Sequence, residues 1–172
     1  QEPLKPFDTG EELLEKTIEC FNKIDPFFGK CLREMNRKKH LDLESKKGKA
    51  PGGFNYPLYE SGYPFIYMNA VGSFRDIVTM IHEGGHAIHS VLSHELDLVD
   101  FKGLTSEIAE LASMSMELIS MDNWDVFFDN EADLKRAKRD QLIDILGTLP
   151  WVATIDKFQH WIYTHKNHTV EE

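Results

Sequence analysis

Apolar positions recur at three-to-four spacing near the start of the chain. Leu13, Leu14, Thr17, Ile18 and Phe21 form one stripe behind the capping residues Asp8 and Thr9, which predicts a helix to about Lys23. Asp25-Pro26 restarts the chain with proline at an early helical position. Phe27, Phe28, Cys31, Leu32 and Met35 then predict a second helix ending near His40. Between Leu41 and Pro64 the helical period vanishes, and Gly48, Pro51, Gly52, Gly53, Pro57 and Gly62 break the chain repeatedly, so this stretch reads as loop or short hairpin. Phe65-Ile66-Tyr67-Met68-Asn69 has the aromatic and β-branched content of a strand between Pro64 and Gly72. From Ser73 the spacing is helical again, first to about Leu96, then over Thr105 to Met121, Glu131 to Leu146, and Pro150 to about His165. Gly147 and Pro150 mark a break or kink between the last two. The expected fold class is mainly α, with a small β element just before the long central helix.

Length and composition narrow the classes. A chain of 172 residues, 41% hydrophobic and 28% charged, predicts a single globular domain over 1–172 with a sizeable core. No apolar run approaches the roughly 20 residues of a membrane helix, so no membrane partner is expected. The net charge of −10 repels phosphate backbones and argues against nucleic acid. Cys20 and Cys31, without a secretory signal, point to a reducing compartment and hence to the cytoplasm. Asn167-His168-Thr169 fits a glycosylation acceptor but has no weight without secretion. The chain opens at Gln1 without an initiator Met and closes just after a helical segment, as expected for a piece of a longer polypeptide.

The chemistry is concentrated in His82-Glu83-Gly84-Gly85-His86, an H-E-x-x-H pattern within a predicted helix. Residues at i and i+4 share a helical face, so both imidazoles converge on one point while Glu83 projects about 100° round, beside an open coordination position. That arrangement suits catalytic zinc, with two His and a third protein ligand, and a water that Glu83 can deprotonate. A third His at the spacing of the metzincins is excluded, because His89 and Leu92 stand where that pattern needs Gly and His. A Glu as third ligand remains. The helix of Ser106 to Glu117 carries carboxylates among Leu, Ala, Ile and Met, and a buried uncompensated charge is costly, so a metal would be a fitting partner. Glu110 lies far enough beyond His86 for the first helix to finish, turn and return. Without the upstream motif it reads equally well as a surface carboxylate.

From about Leu41 to Met121 the chain resembles the thimet oligopeptidase and oligoendopeptidase F family of zinc metallopeptidases. The blocks that carry the resemblance are Asp42 to Phe54, Ile66-Tyr67-Met68-Asn69, Thr79 to Ser90, and Glu110-Leu111-Ala112-Ser113-Met114-Ser115-Met116-Glu117. The resemblance implies a helical zincin-like catalytic region and one Zn2+ per chain. It implies His82, His86 and Glu110 as ligands, Glu83 as general base, and short oligopeptides as substrate. Gly84 departs from the family, which more often has a bulky apolar residue there. The Tyr and His cluster that the family places beyond the zinc ligands, where it stabilises the tetrahedral intermediate, is missing. Beyond Glu110 the lone tyrosine is Tyr163, near His160, Trp161, His165 and His168.

Several roles stay open at this level. Glu107 rivals Glu110 from a neighbouring part of the same helix face. Glu117, two turns beyond Glu110, reads either as an acceptor orienting a ligating His or as a surface carboxylate. His89 shares the face of His82 and reads as a cleft-lining or a simple hydrogen-bonded residue. The Gly48 to Phe54 stretch lacks the pattern of a phosphate loop and suits either a turn or a loop closing over a peptide. The Phe65 to Asn69 strand reads either as an exposed edge that would pair with an extended substrate or as an ordinary packed strand. The alternatives to an endopeptidase are a non-catalytic metal-binding helical module and a different gluzincin such as an aminopeptidase, although Tyr67-Met68-Asn69-Ala70 is not the Gly-x-Met-Glu-Asn block of that group.

Overall fold

In the computed structural model, which describes residues 2–171, helix α1 (Gly10–Ile24) starts at Thr9, whose hydroxyl accepts the Glu12 N–H at 3.1 Å. Asp25 ends this helix and begins the next. Its backbone N–H returns to the Phe21 carbonyl, and its carboxylate accepts the Phe27 N–H at 2.8 Å to cap α2 (Pro26–Arg37). The second helix stops earlier than its apolar spacing suggests. Lys39 takes a left-handed backbone angle, φ 60°, and the His40 N–H bonds back to the Met35 carbonyl at 2.9 Å.

The stretch expected as loop or short hairpin contains two strands. β1 (Leu41–Glu44) runs parallel to β3 (Phe65–Ala70), and β2 (Phe54–Tyr56) runs antiparallel to it, in the order β1-β3-β2, so the two pair with β3 and not with each other. Leu41-Asp42-Leu43-Glu44 and Phe54-Asn55-Tyr56 do alternate, but runs of four and three residues are too short to stand out from loop, and their pairing depends on a partner distant in the chain. The expectation that β3 offers an edge to substrate is therefore overturned, because both of its sides are occupied and β2 holds the outer position. β3 turns Ile66, Met68 and Ala70 inward. Lys49 ties the glycine-bearing loop to this sheet. Its ammonium donates to the Asp42 and Glu44 carbonyls at 3.0 and 2.7 Å, and it lies 4.6 Å from the Tyr67 ring centroid. Asn69 and the Tyr67 hydroxyl both donate to the Ala50 carbonyl. These contacts hold the loop against the sheet.

A capping box opens α3 (Phe74–Ser93): Ser73 Oγ accepts the Asp76 N–H, and the Asp76 carboxylate accepts the Ser73 N–H at 2.8 Å. The helix buries Ile77, Val78, Ile81 and Ile88. A short helix, α4 (Val99–Lys102), leads to α5 (Ser106–Ser120), and a 3₁₀ stretch follows over Met121–Phe127. There Trp124 is fully buried, with its indole N–H on Ser120 Oγ at 2.9 Å and its ring edge-on to Phe74. These elements belong to a compact unit, Gln1–Leu134.

The second unit, Lys135–Glu172, is built on α6 (Glu131–Thr164). The break expected at Gly147 and Pro150 is absent, and one helix runs through both. Proline in a helix deprives one carbonyl of its donor. Here that carbonyl belongs to Leu146, which is exposed, so solvent can satisfy it. Among the described residues no helix is long and apolar enough to cross a membrane.

Candidate metal centre

Helices α3 and α5 approach closely because Gly85 has no side chain. A Cβ there would lie 2.8 Å from the Ser113 Cα and 2.9 Å from the Met116 Cβ, so only glycine permits this spacing. The pairs His86 with Glu110, Gly85 with Ser113 and His82 with Glu117 run in opposite senses along the two helices, which are therefore antiparallel. Gly84, on the other side, accommodates α1. A Cβ at Gly84 would stand 2.8 Å from Phe21 Cζ, so the aromatic ring fills the space that a bulky residue would need.

The two imidazoles lie 4.8 Å apart between ring centroids and nearly perpendicular, at 86°. Both turn Nε2 toward one carboxylate: His82 Nε2 is 3.2 Å from Glu110 Oε2, and His86 Nε2 is 3.5 Å from Glu110 Oε1. These three residues form a cluster whose ligand atoms all lie within 4.8 Å of one another. The donor set fits zinc. A tetrahedral ion with bonds of about 2.0–2.1 Å sets its ligand atoms about 3.3 Å apart, close to both separations. On its far side His82 Nδ1 donates to Glu117 Oε1 at 2.6 Å, and Ser113 Oγ lies 3.3 Å from Glu110 Oε2.

Glu107, the rival carboxylate, lies exposed in the first turn of α5, where its own backbone N–H and the Thr105 side chain hold its carboxyl below the ordinary value. It is outside the cluster. Glu83 is 6% exposed, and burial lifts its carboxyl above the ordinary range, with the Glu110 charge adding to the lift. The His82 charge and the nearby Asn55 backbone N–H work against it. Burial pulls both imidazoles down. At His82 the hydrogen bond to Glu117 and the nearby carboxylates outweigh burial and the net shift is upward, whereas His86, next to His82, stays low.

A cleft of about 550 Å³ opens over the cluster. It is lined by Gly53 and by Phe54 and Asn55 of β2, by His82, Glu83, His86 and His89 of α3, and by Leu104 and Glu110. His89 thus lines the cleft. A second cavity of about 380 Å³ adjoins it across Gly53, His82 and Glu83, and reaches Asn69, Thr79 and Glu117. Sequence reading missed the Asn55 contact to Glu83 and the Phe21 ring against Gly84. Neither has a local signal, since each joins segments distant in the chain.

The chain is similar to known proteins. The chain is 27% identical over 158 residues to an oligoendopeptidase F homolog of Borreliella burgdorferi, covering 89% of this chain and 26% of that protein. It is 22% identical over 156 residues to the oligopeptidase PepF of Bacillus subtilis, covering 91% and 23%. The chain thus spans about a quarter of the length of the curated relatives it matches. Among solved structures, PZ peptidase A with an inhibitor superposes with a TM-score of 0.87 at 31% identity, over 96% of this chain and 29% of the other. The model of peptidase family M3 matches residues 15–172, so the likeness extends from α1 through α3 and α5 to the end of α6, and the chain belongs to that family.

Proposed function

We propose that this chain is the metal-bearing part of a zinc-dependent endopeptidase that hydrolyses short peptides. The observation that carries this reading is the convergence of both Nε2 atoms on the Glu110 carboxylate with the buried Glu83 next to them in the cleft. His82, His86 and Glu110 would hold the ion, one per chain. When bound, zinc would supply a Lewis acid for the scissile carbonyl and acidify a coordinated water. Glu83 takes the proton of the attacking water and hands it to the leaving amine. Its position in the cleft beside the two imidazoles suits it to both transfers. No side chain becomes covalently linked to the substrate in this scheme.

The outer edge of β2 is the proposed docking line for an extended peptide, since Gly53 to Asn55 wall the cleft and β2 ends the sheet. The names of the relatives support oligopeptides as substrates. The free, buried thiols of Cys20 and Cys31 suit a reducing compartment, and we assign the protein to the cytoplasm. The relatives are several times longer, so the remainder of a longer polypeptide is the expected covalent partner.

Elemental analysis joined to a quenched-peptide assay tests this reading. The parent protein should bind one equivalent of zinc, and His86→Ala and Glu110→Ala should each lose it. Cleavage of peptides blocked at the amino terminus separates an endopeptidase from an aminopeptidase. A zinc-replete full-length protein that cleaves no peptide would leave the non-catalytic module standing, and full zinc in both variants would remove the ligand assignment.

A further inference from the structure

Resting on the metal site proposed above, we infer that Glu117 is a positioning residue, whose carboxylate fixes the His82 ring and its tautomer so that Nε2 is presented to the metal. The contact is short, 2.6 Å from Nδ1 to Oε1, and the Glu117 side chain is only 12% exposed. A neutral imidazole carries one N–H. A carboxylate at hydrogen-bonding distance from Nδ1 draws that proton there and leaves the lone pair on Nε2, the nitrogen that faces Glu110. Without this acceptor the ring is free to rotate and to divide between two tautomers, and one of them cannot ligate through Nε2.

The same helix provides both parts of the device. Glu110 and Glu117 are two turns apart on one face of α5, with the fully buried Ser113 between them. The Ser113 hydroxyl, 3.0 Å from the Glu110 carbonyl and 3.3 Å from Glu110 Oε2, lies beside the carboxylate of the third ligand. α5 therefore brings one ligand of its own and sets the orientation of another on α3. The close approach at Gly85 keeps Glu117 within reach of Nδ1. Burying a carboxylate among apolar side chains is costly unless it is paired, and Glu117 is buried against this imidazole.

The test measures zinc affinity by chelator competition, and the visible spectrum of the cobalt-substituted site, in the full-length protein with Glu117→Leu and Glu117→Gln. Loss of such an acceptor commonly costs about 10- to 100-fold in metal affinity, which is the rise in Kd expected for Glu117→Leu at unchanged stoichiometry, with altered cobalt bands. Glu117→Gln keeps the shape and a neutral acceptor, so its Kd should rise by about threefold or more but less than that of the leucine variant. A Glu117→Leu protein with Kd and cobalt spectrum indistinguishable from the parent overturns the proposal. If the leucine variant does not fold, an unchanged Kd in Glu117→Gln overturns it in the same way. Equal losses in both variants that merely follow a lowered Tm would assign Glu117 to packing instead. Failure of the ligand assignment looks different, because His86→Ala would then retain a full equivalent of zinc.

Discussion

Glu83 is buried, beside two imidazoles, and lines the cleft. Replacing it with Gln keeps size and hydrogen bonding but removes the base. Glu83→Gln should retain one zinc and the parent Tm while peptide hydrolysis falls by about 10² to 10⁴-fold, measured per bound zinc. Near-parental turnover in a zinc-replete sample would place the base elsewhere. Gly84 is the other residue whose meaning is set by its surroundings. Phe21 occupies the space above it, so Gly84→Leu should be destabilised by about 1–3 kcal/mol or more through overpacking. Phe21→Ala should also be destabilised, by about 3–5 kcal/mol, because it leaves a cavity. The double variant should recover part of the summed loss, as two residues sharing one space do. Additive losses in denaturant unfolding would show that the two do not compete for the same volume.

At the level of elements, the centre depends on the separation of α3 and α5. Gly85→Ala places a methyl group against the Ser113 Cα and the Met116 Cβ, atoms that move only with the helix itself. The expected result is a lower Tm together with weaker zinc binding, because Glu110 and Glu117 would both withdraw from their imidazoles. Chelator competition checks this, and a Gly85→Ala protein with unchanged Kd would show that the ligands adapt independently of helix spacing. The helical elements were largely legible from apolar spacing and caps, as Thr9 at the start of α1 illustrates. β1 and β2 were not, because short strands are stabilised by their partner rather than by any local preference. The run through Gly147 and Pro150 likewise shows that a breaker decides an end only where the carbonyl it leaves unpaired has no alternative hydrogen-bond donor such as water.

For the molecule as a whole, the chain corresponds to about a quarter of its relatives and exposes large apolar side chains on α5, among them Leu111 and Ile119. The tyrosine and histidine groups that the family resemblance places beyond the zinc ligands have no clear counterpart here. Tyr163 is 77% exposed on α6. We therefore expect these 172 residues to bind zinc yet turn over poorly. Oxyanion donors commonly contribute about 10² to 10³-fold, so specific activity per bound zinc should rise by that order in a polypeptide of the relatives' length. Equal activities in the two would mean that the donors already lie within this chain, and Tyr163 would be the first residue to replace.

The pairing of His82 with His86 and the placement of Glu83 beside them are properties of one helix, and helical periodicity alone makes them readable from the order of residues. The block around Glu110 could be recognised, but which carboxylate of α5 reaches the imidazoles depends on how two helices cross. That crossing is set by Gly85 against Ser113. Glu107 and Glu117 have the same local credentials, yet one stays at an exposed helix start and the other meets His82. The free edge of the sheet, the backbone donor to Glu83 and the ring over Gly84 are likewise contacts between distant segments. Local patterning determines which face of an element is apolar and which side chains share it. Which faces meet, and at what distance, follows from packing the whole core at once.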